Sequence, residues 1–254
     1  MKKITILFLV LFIFLDCNKN KKDETLIFYA SGKDFVKKEF IDKDGWQISL
    51  QSVLLHIRDV TITDSVVIKI YDKFFLQLKS VDYDKIKITE ITKPKKTSPT
   101  KTISFSLKKT FDYDFPGYSF IIKGIAKKDK KEINFTIKFN EEIIWVVEDE
   151  EQSQNKDESI DFNFHLEYIF GSIDPIKIKA HNEEEEEIEY DVNDFACGFN
   201  FFLPFEKNGI IDVTQEDLLK SKNKNEYEKL IKALHRIAFV GEKEAKVVYT
   251  SSKF

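Results

Sequence analysis

Apolar and polar residues alternate with period two through most of residues 26–147. The cleanest stretch is 133–139. Ile133, Phe135, Ile137 and Phe139 share one face there, and Asn134, Thr136 and Lys138 share the other. Residues 26–30, 46–50, 57–62, 66–70, 86–88 and 103–107 carry shorter or looser versions of the same pattern. Alternation of this kind predicts strands of a sheet with one buried face. Residues 143–147 (Ile-Ile-Trp-Val-Val) are continuously apolar, which predicts a strand buried on both faces. Breaks fall at 93–101, with two prolines, and at 112–117, which ends in Pro116-Gly117.

The pattern continues after a polar, aperiodic segment at 148–159, read as a long loop within one domain. Residues 160–170 read as one strand, with Phe162, Phe164, Leu166, Tyr168 and Phe170 on one face and Asn163, His165 and Glu167 on the other. Strands at 176–181 and 188–192 flank the acidic run 183–187 as a hairpin. The grammar then changes. Thr214, with Asp217 three residues on, predicts a capped helix start. Tyr227, Leu230, Ile231, Leu234, Ile237 and Ala238 form a helical stripe over 226–239, with Gly241 as the terminating glycine. Residues 246–250 read as a last strand. The fold class expected is mainly β, an antiparallel β-sandwich-like domain with a C-terminal α-helix, spanning residues 25–250.

Composition supports that reading. Twenty-four Phe and nine Tyr give an aromatic core that favours strands. The net charge of −4 mixes both signs, and only Arg58 and Arg236 among the 40 basic residues are arginine. Arginine is the residue best suited to phosphate and base recognition, so its scarcity argues against a nucleic-acid partner.

The start of the chain has a different character. Met1-Lys2-Lys3 is basic, residues 4–15 are mostly apolar, and Asp16-Cys17 precede the polar run Asn18-Lys19-Asn20-Lys21-Lys22-Asp23. A basic n-region followed by a short apolar h-region is the order of a secretory signal peptide, and the run is too short to span a bilayer. The segment resembles the signal of bacterial lipoproteins, although Asp16 stands where a small residue is usual. That resemblance covers the leader alone. It implies removal of residues 1–16, lipidation of Cys17, a polar tether at 17–24 and an extracytoplasmic domain held at a membrane of the cell envelope. With Cys17 acylated, Cys197 has no partner for an intrachain disulfide, and it reads as a small buried hydrophobe.

Candidate chemistry is sparse. On a single strand, His165 and Glu167 would point the same way, about 6–7 Å apart. With His181 or Cys197 from a neighbouring strand they make a candidate zinc or copper site, because such metals favour imidazole, thiolate and carboxylate. The acidic run 183–187 lacks the ordered oxygens and glycine of a calcium loop. Residues 206–217 echo half of an EF-hand, yet Pro204 and Gln215 fall where ligands are required. Phe195, Phe199, Phe201, Phe202 and Phe205 read as core. No nucleophile elbow and no phosphate loop occurs. The expectation is therefore a non-enzymatic envelope lipoprotein with a binding or structural role and no cofactor. Its partners are the membrane and a protein, or alternatively a divalent metal held by His165, Glu167, His181 and Cys197.

Overall fold

The computed structural model describes residues 25–32, 36–62, 66–68, 76–77, 85–92, 101–111, 114–149, 158–181 and 187–251. The leader and tether, the proline loop at 93–100, the centre of the 148–159 loop and residues 182–186 of the acidic run lie outside the described residues. Strands account for 51% and helices for 20%, so the protein is mainly β.

In chain order the first strands are β1 (Thr25–Ser31), β2 (Phe40–Ile41), β3 (Gln47–Leu55), β4 (Ile57–Ile62), β5 (Val66–Ile68) and β6 (Leu76–Gln77). Next come β7 (Ile86–Thr92), β8 (Lys101–Leu107), β9 (Phe120–Lys128), β10 (Lys131–Phe139), β11 (Ile143–Asp149) and β12 (Glu158–Phe164). The last are β13 (Lys177–His181), β14 (Glu187–Asp191), β15 (Ile210–Thr214), β16 (Ala238–Val240), β17 (Lys243–Glu244) and β18 (Lys246–Thr250). They form three mostly antiparallel sheets. The first runs β17-β16-β12-β1-β7, the second β15-β10-β9-β3-β2 with β6 also on β3, and the third β18-β11-β8-β4-β5. β13 and β14 make the separate hairpin that the sequence predicts.

The second and third sheets share a corner. β3 passes into β4 through His56 alone, and β10 into β11 through residues 140–142. Hydrogen bonds run straight across the bend: Lys108 N–H to His56 O, His56 N–H to Ser119 O, and Ser119 N–H to Phe139 O, at 3.1, 2.9 and 2.8 Å. No backbone group along this row loses its partner, which lets the bend be buried without penalty. The first sheet meets the third through aromatic rings. Phe162 lies 4.5 Å from Phe105 and Phe164 6.5 Å from Trp145, ring centre to ring centre. The second sheet is covered by helical segments, with Phe135 against Phe170 and Phe199.

Three expectations change. Residues 160–170 are not one strand, since β12 stops at Phe164 and Glu167–Phe170 is a helical turn. The cause is the loss of neighbours. β1 pairs only as far as Ser31↔Asn163 and β16 begins at Ala238↔Phe164, so after one further bond, from His165 N–H to Ile237 O, neither strand continues the ladder. The helical turn satisfies the backbone instead, and all four of its side chains are buried. Residues 143–147 are enclosed on one face only, because Ile144 and Val146 on the outer face of the third sheet are half-buried. The predicted helix at 226–239 is Lys224–Arg236. It ends early because Ala238–Val240 pairs with β12, and Gly241 belongs to the turn between β16 and β17. The Thr214 cap forms as predicted, in a reciprocal capping box with Asp217.

Candidate functional site

The change at residue 165 remakes the predicted site. His165 sits where β12 ends, its backbone N–H donating to Ile237 O at 2.8 Å. The helical turn then brings Glu167 back onto it, so His165 Nδ1 and Glu167 Oε1 are 2.6 Å apart rather than a strand repeat apart. Both are largely enclosed, and Glu167 is only 4% exposed. Its second oxygen, Oε2, is buried with no hydrogen-bond partner. Among the described residues no lysine or arginine bridges to Glu167, whose side-chain partner is His165. An unpaired, buried carboxylate oxygen costs about 1–3 kcal/mol or more, so this atom needs an explanation.

Aromatic rings hold the pair in place. Phe239 on β16 lies 4.4 Å from the imidazole, ring centre to ring centre, and Tyr168 lies at 5.4 Å. The Tyr168 hydroxyl is raised above its ordinary range by burial, and the carboxylates of Glu167 and Glu244 add to the shift. Arg236, at the end of the long helix, forms a two-pronged bridge to Glu244, with Nε–Oε1 at 2.8 Å and Nη2–Oε2 at 3.0 Å. Its guanidinium also lies over the rings of Phe195 and Tyr190, 4.7 and 5.3 Å from their centres. The nearby positive charge is thus already committed.

The remaining predicted residues fare differently. Asn163 is occupied structurally: its Oδ1 accepts from Ser31 Oγ at 2.8 Å, and its Nδ2 donates to Gly241 O at 2.7 Å. Cys197 is a free thiol, 3% exposed, donating to Ile169 O at 3.3 Å. Burial pushes that thiol well above its ordinary range. His181 ends β13, paired by its backbone with Glu187, and its side chain lies outside the described residues. Among the described residues no group of three or more His, Cys, Asp or Glu side chains converges as a metal site would require. The geometry therefore joins His165 to Glu167 and does not join Cys197 to them. No helix of the described residues is long and apolar enough to cross a membrane.

Two other polar clusters escaped the sequence reading. Asp42 is fully buried, and its carboxylate accepts backbone N–H bonds from Trp46 at 2.7 Å, Asp44 at 3.0 Å and Phe199 at 2.7 Å. Burial outweighs those bonds and lifts its pKa to about 6. Glu141 is buried at the sheet corner and accepts from Gln215 Nε2 at 2.8 Å, Ser251 Oγ at 3.3 Å and Thr250 Oγ1. Both carboxylates have their hydrogen bonds filled by the protein itself and serve to tie distant segments together. The only advance sign of the first was the turn sequence Asp42-Lys43-Asp44-Gly45. A shallow cavity of about 260 Å³ is lined by Leu107, Lys108, Glu142, Ile143, Ile144 and Tyr249, and it includes none of the predicted residues.

No protein-family model matches the chain, and no curated protein and no solved structure matches it either.

Proposed function

We propose that the protein is a lipid-anchored component of a bacterial cell envelope, whose β domain does binding or structural work outside the cytoplasm. The carrying observation is the state of its second cysteine. Cys197 is a free thiol enclosed in the core, with its Sγ on the Ile169 carbonyl. Cys17 is therefore not committed to a disulfide with it and remains available for acylation at the end of the signal-like leader. Seven residues lie between Cys17 and Thr25, the first residue of β1, which makes eight Cα–Cα steps. Fully extended, they reach at most about 28 Å, so an acylated Cys17 holds the domain close to the bilayer. A stable anchor of this kind needs more than one acyl chain. The described surface carries paired charges of both signs, such as Lys127–Glu132 and Lys138–Asp212.

The test is metabolic labelling with palmitate in a bacterial host, followed by detergent phase partitioning. The wild type should carry label and enter the detergent phase, and Cys17→Ala should do neither. An unlabelled wild-type chain whose N-terminus maps away from Cys17 would overturn the reading.

A further inference from the structure

We propose that the side chain of Phe254 seats in the shallow cavity on the third sheet, so that residues 252–254 of the chain itself close the end of β18. The inference goes beyond the lipid anchor and does not depend on Cys17. The cavity, of about 260 Å³, opens where β8 ends at Leu107 and Lys108, where β11 begins at Glu142, Ile143 and Ile144, and beside Tyr249 on β18. A cavity of about 150 Å³ is enough to hold benzene, so one phenyl ring fits here. The Lys108 ammonium is engaged by Asp59 Oδ2 at 2.5 Å and is not turned to a ligand. Tyr249 is 51% exposed, and it lies opposite the half-buried Ile144 in the β11–β18 register, on the same face of the sheet. The surface left uncovered at this spot is therefore apolar and aromatic.

Chain geometry delivers one ring to it. Ser251, the last described residue, donates its N–H to Glu142 O at 2.9 Å, and Glu142 N–H donates to Ser251 Oγ at 2.9 Å. Glu142 is part of the cavity lining, so the chain leaves β18 at the rim, and it bends there. Ser252, Lys253 and Phe254 follow. Three residues reach at most about 10–11 Å when extended. β8 lies two strands over from β18, a distance of about 9.5 Å. Phe254 therefore reaches Leu107 at the far side of the cavity, while Lys253 passes the Glu142 carboxylate, which complements its charge. A ring seated against Tyr249 and Ile144 gains an aromatic pair and buries apolar area, and only three residues need to be ordered for it. The seat also fastens an edge strand of the third sheet at the point where its ladder stops.

The full-length chain in detergent, with photoreactive p-benzoylphenylalanine in place of Phe254, tests this. Irradiation should join residue 254 to Leu107, Ile144 or Tyr249 of the same chain, as mapped by peptide mass spectrometry. In Phe254→Ala the backbone amides of β18 should exchange with deuterium about threefold faster or more than in the wild type, while those of β10 keep their rate. Crosslinks that join two chains would give the cavity to a second copy and overturn the proposal. Crosslinks to other parts of the same chain, or none, together with unchanged exchange in Phe254→Ala, overturn it equally. Neither result bears on palmitate labelling, so the anchor stands or falls separately.

Discussion

The carboxylate of Asp42 accepts a hydrogen bond from the backbone N–H of Phe199 at 2.7 Å, across 157 residues of chain. The neighbouring Asp44 does the same for Asn200 at 2.8 Å, and Trp46 closes the contact by donating its indole N–H to the Asn200 side chain at 2.9 Å. One tight turn thus caps the start of the 3₁₀ segment Phe199–Phe205. The unfilled donors of such a start are stabilised by oxygens placed in this way.

That arrangement has a pH signature. Asp42 titrates near 6 in the folded protein against 3.8 when unperturbed, chiefly because burial disfavours its charge. The folded state therefore holds more protons than the unfolded state between about pH 4 and 6. Stability contributed by Asp42 is full below pH 4 and falls as pH rises to 6, by about 3 kcal/mol at most. Asp42→Asn removes the titration but turns an amide N–H toward the Phe199 N–H, so it should destabilise at pH 4. The deficit relative to wild type should shrink as pH rises from 4 to 6 and stay level above that. Urea denaturation midpoints across this range measure it, and a deficit that is constant or grows with pH would contradict the assignment.

The same contact makes Gly198 irreplaceable in a way that Gly117 is not. Both have positive φ, +73° and +82°. A Cβ at Gly198 would lie 2.3 Å from Asp44 Oδ2 and 2.8 Å from its Cγ, whereas one at Gly117 meets nothing within 4 Å. Gly117→Ala should cost about 1 kcal/mol, the conformational penalty alone. Gly198→Ala should cost that and the Asp44 cap as well, about 2–3 kcal/mol in all. Thermal denaturation of the two variants side by side gives the difference, and equal losses would mean that the Asp44 cap contributes nothing.

These long-range contacts also mark where the sequence stops being readable. Period-two alternation located most strands, the hairpin of β13 and β14 and the pairing face of β10, because one-sided burial imposes it locally. The Thr214–Asp217 capping box was legible for the same reason, since every atom of it lies within four residues. The helical turn Glu167–Phe170 was not. Phe162, Phe164, Leu166, Tyr168 and Phe170 alternate without a break, and the ladder ends only because β1 stops pairing at Asn163 and β16 at Phe164. Consequently the alternation places His165 and Glu167 a strand repeat apart on one face, whereas the helical turn brings them into contact at 2.6 Å. Asp42 carries no sign in sequence of Phe199, because their meeting across 157 positions is decided by how the chain between them packs.

Arg236 explains one of the two exceptions in a chain that otherwise uses lysine. Its fork meets both oxygens of Glu244 while its flat face rests on Phe195 and Tyr190. An ammonium group can neither bridge both oxygens in plane nor stack. Arg236→Lys should therefore lose about 1–2 kcal/mol of stability, despite conserving charge. Lysine-to-arginine changes at exposed pairs such as Lys127–Glu132 should change it by less than about 0.5 kcal/mol. Chemical denaturation decides the matter, and a silent Arg236→Lys would show that the bridge and the stacking add nothing beyond charge.

Cys197 offers a probe of core and anchor together. The thiolate is the form that reacts with disulfide reagents, and burial holds the Cys197 thiol well above its usual range. Lys43 opposes that shift from nearby, yet its ammonium is already engaged by the carbonyls of Ala196 and Asn193. At pH 8 the native chain should leave Cys197 unlabelled until it unfolds, at a rate that rises with urea as the open population grows. Chains with an acylated Cys17 should then show no fast thiol when native and one in denaturant. Chains with a free Cys17 should show one and two. A fast-reacting Cys197 in the native protein, identified by peptide mass mapping, would contradict its burial against Ile169 whichever way the anchor test falls.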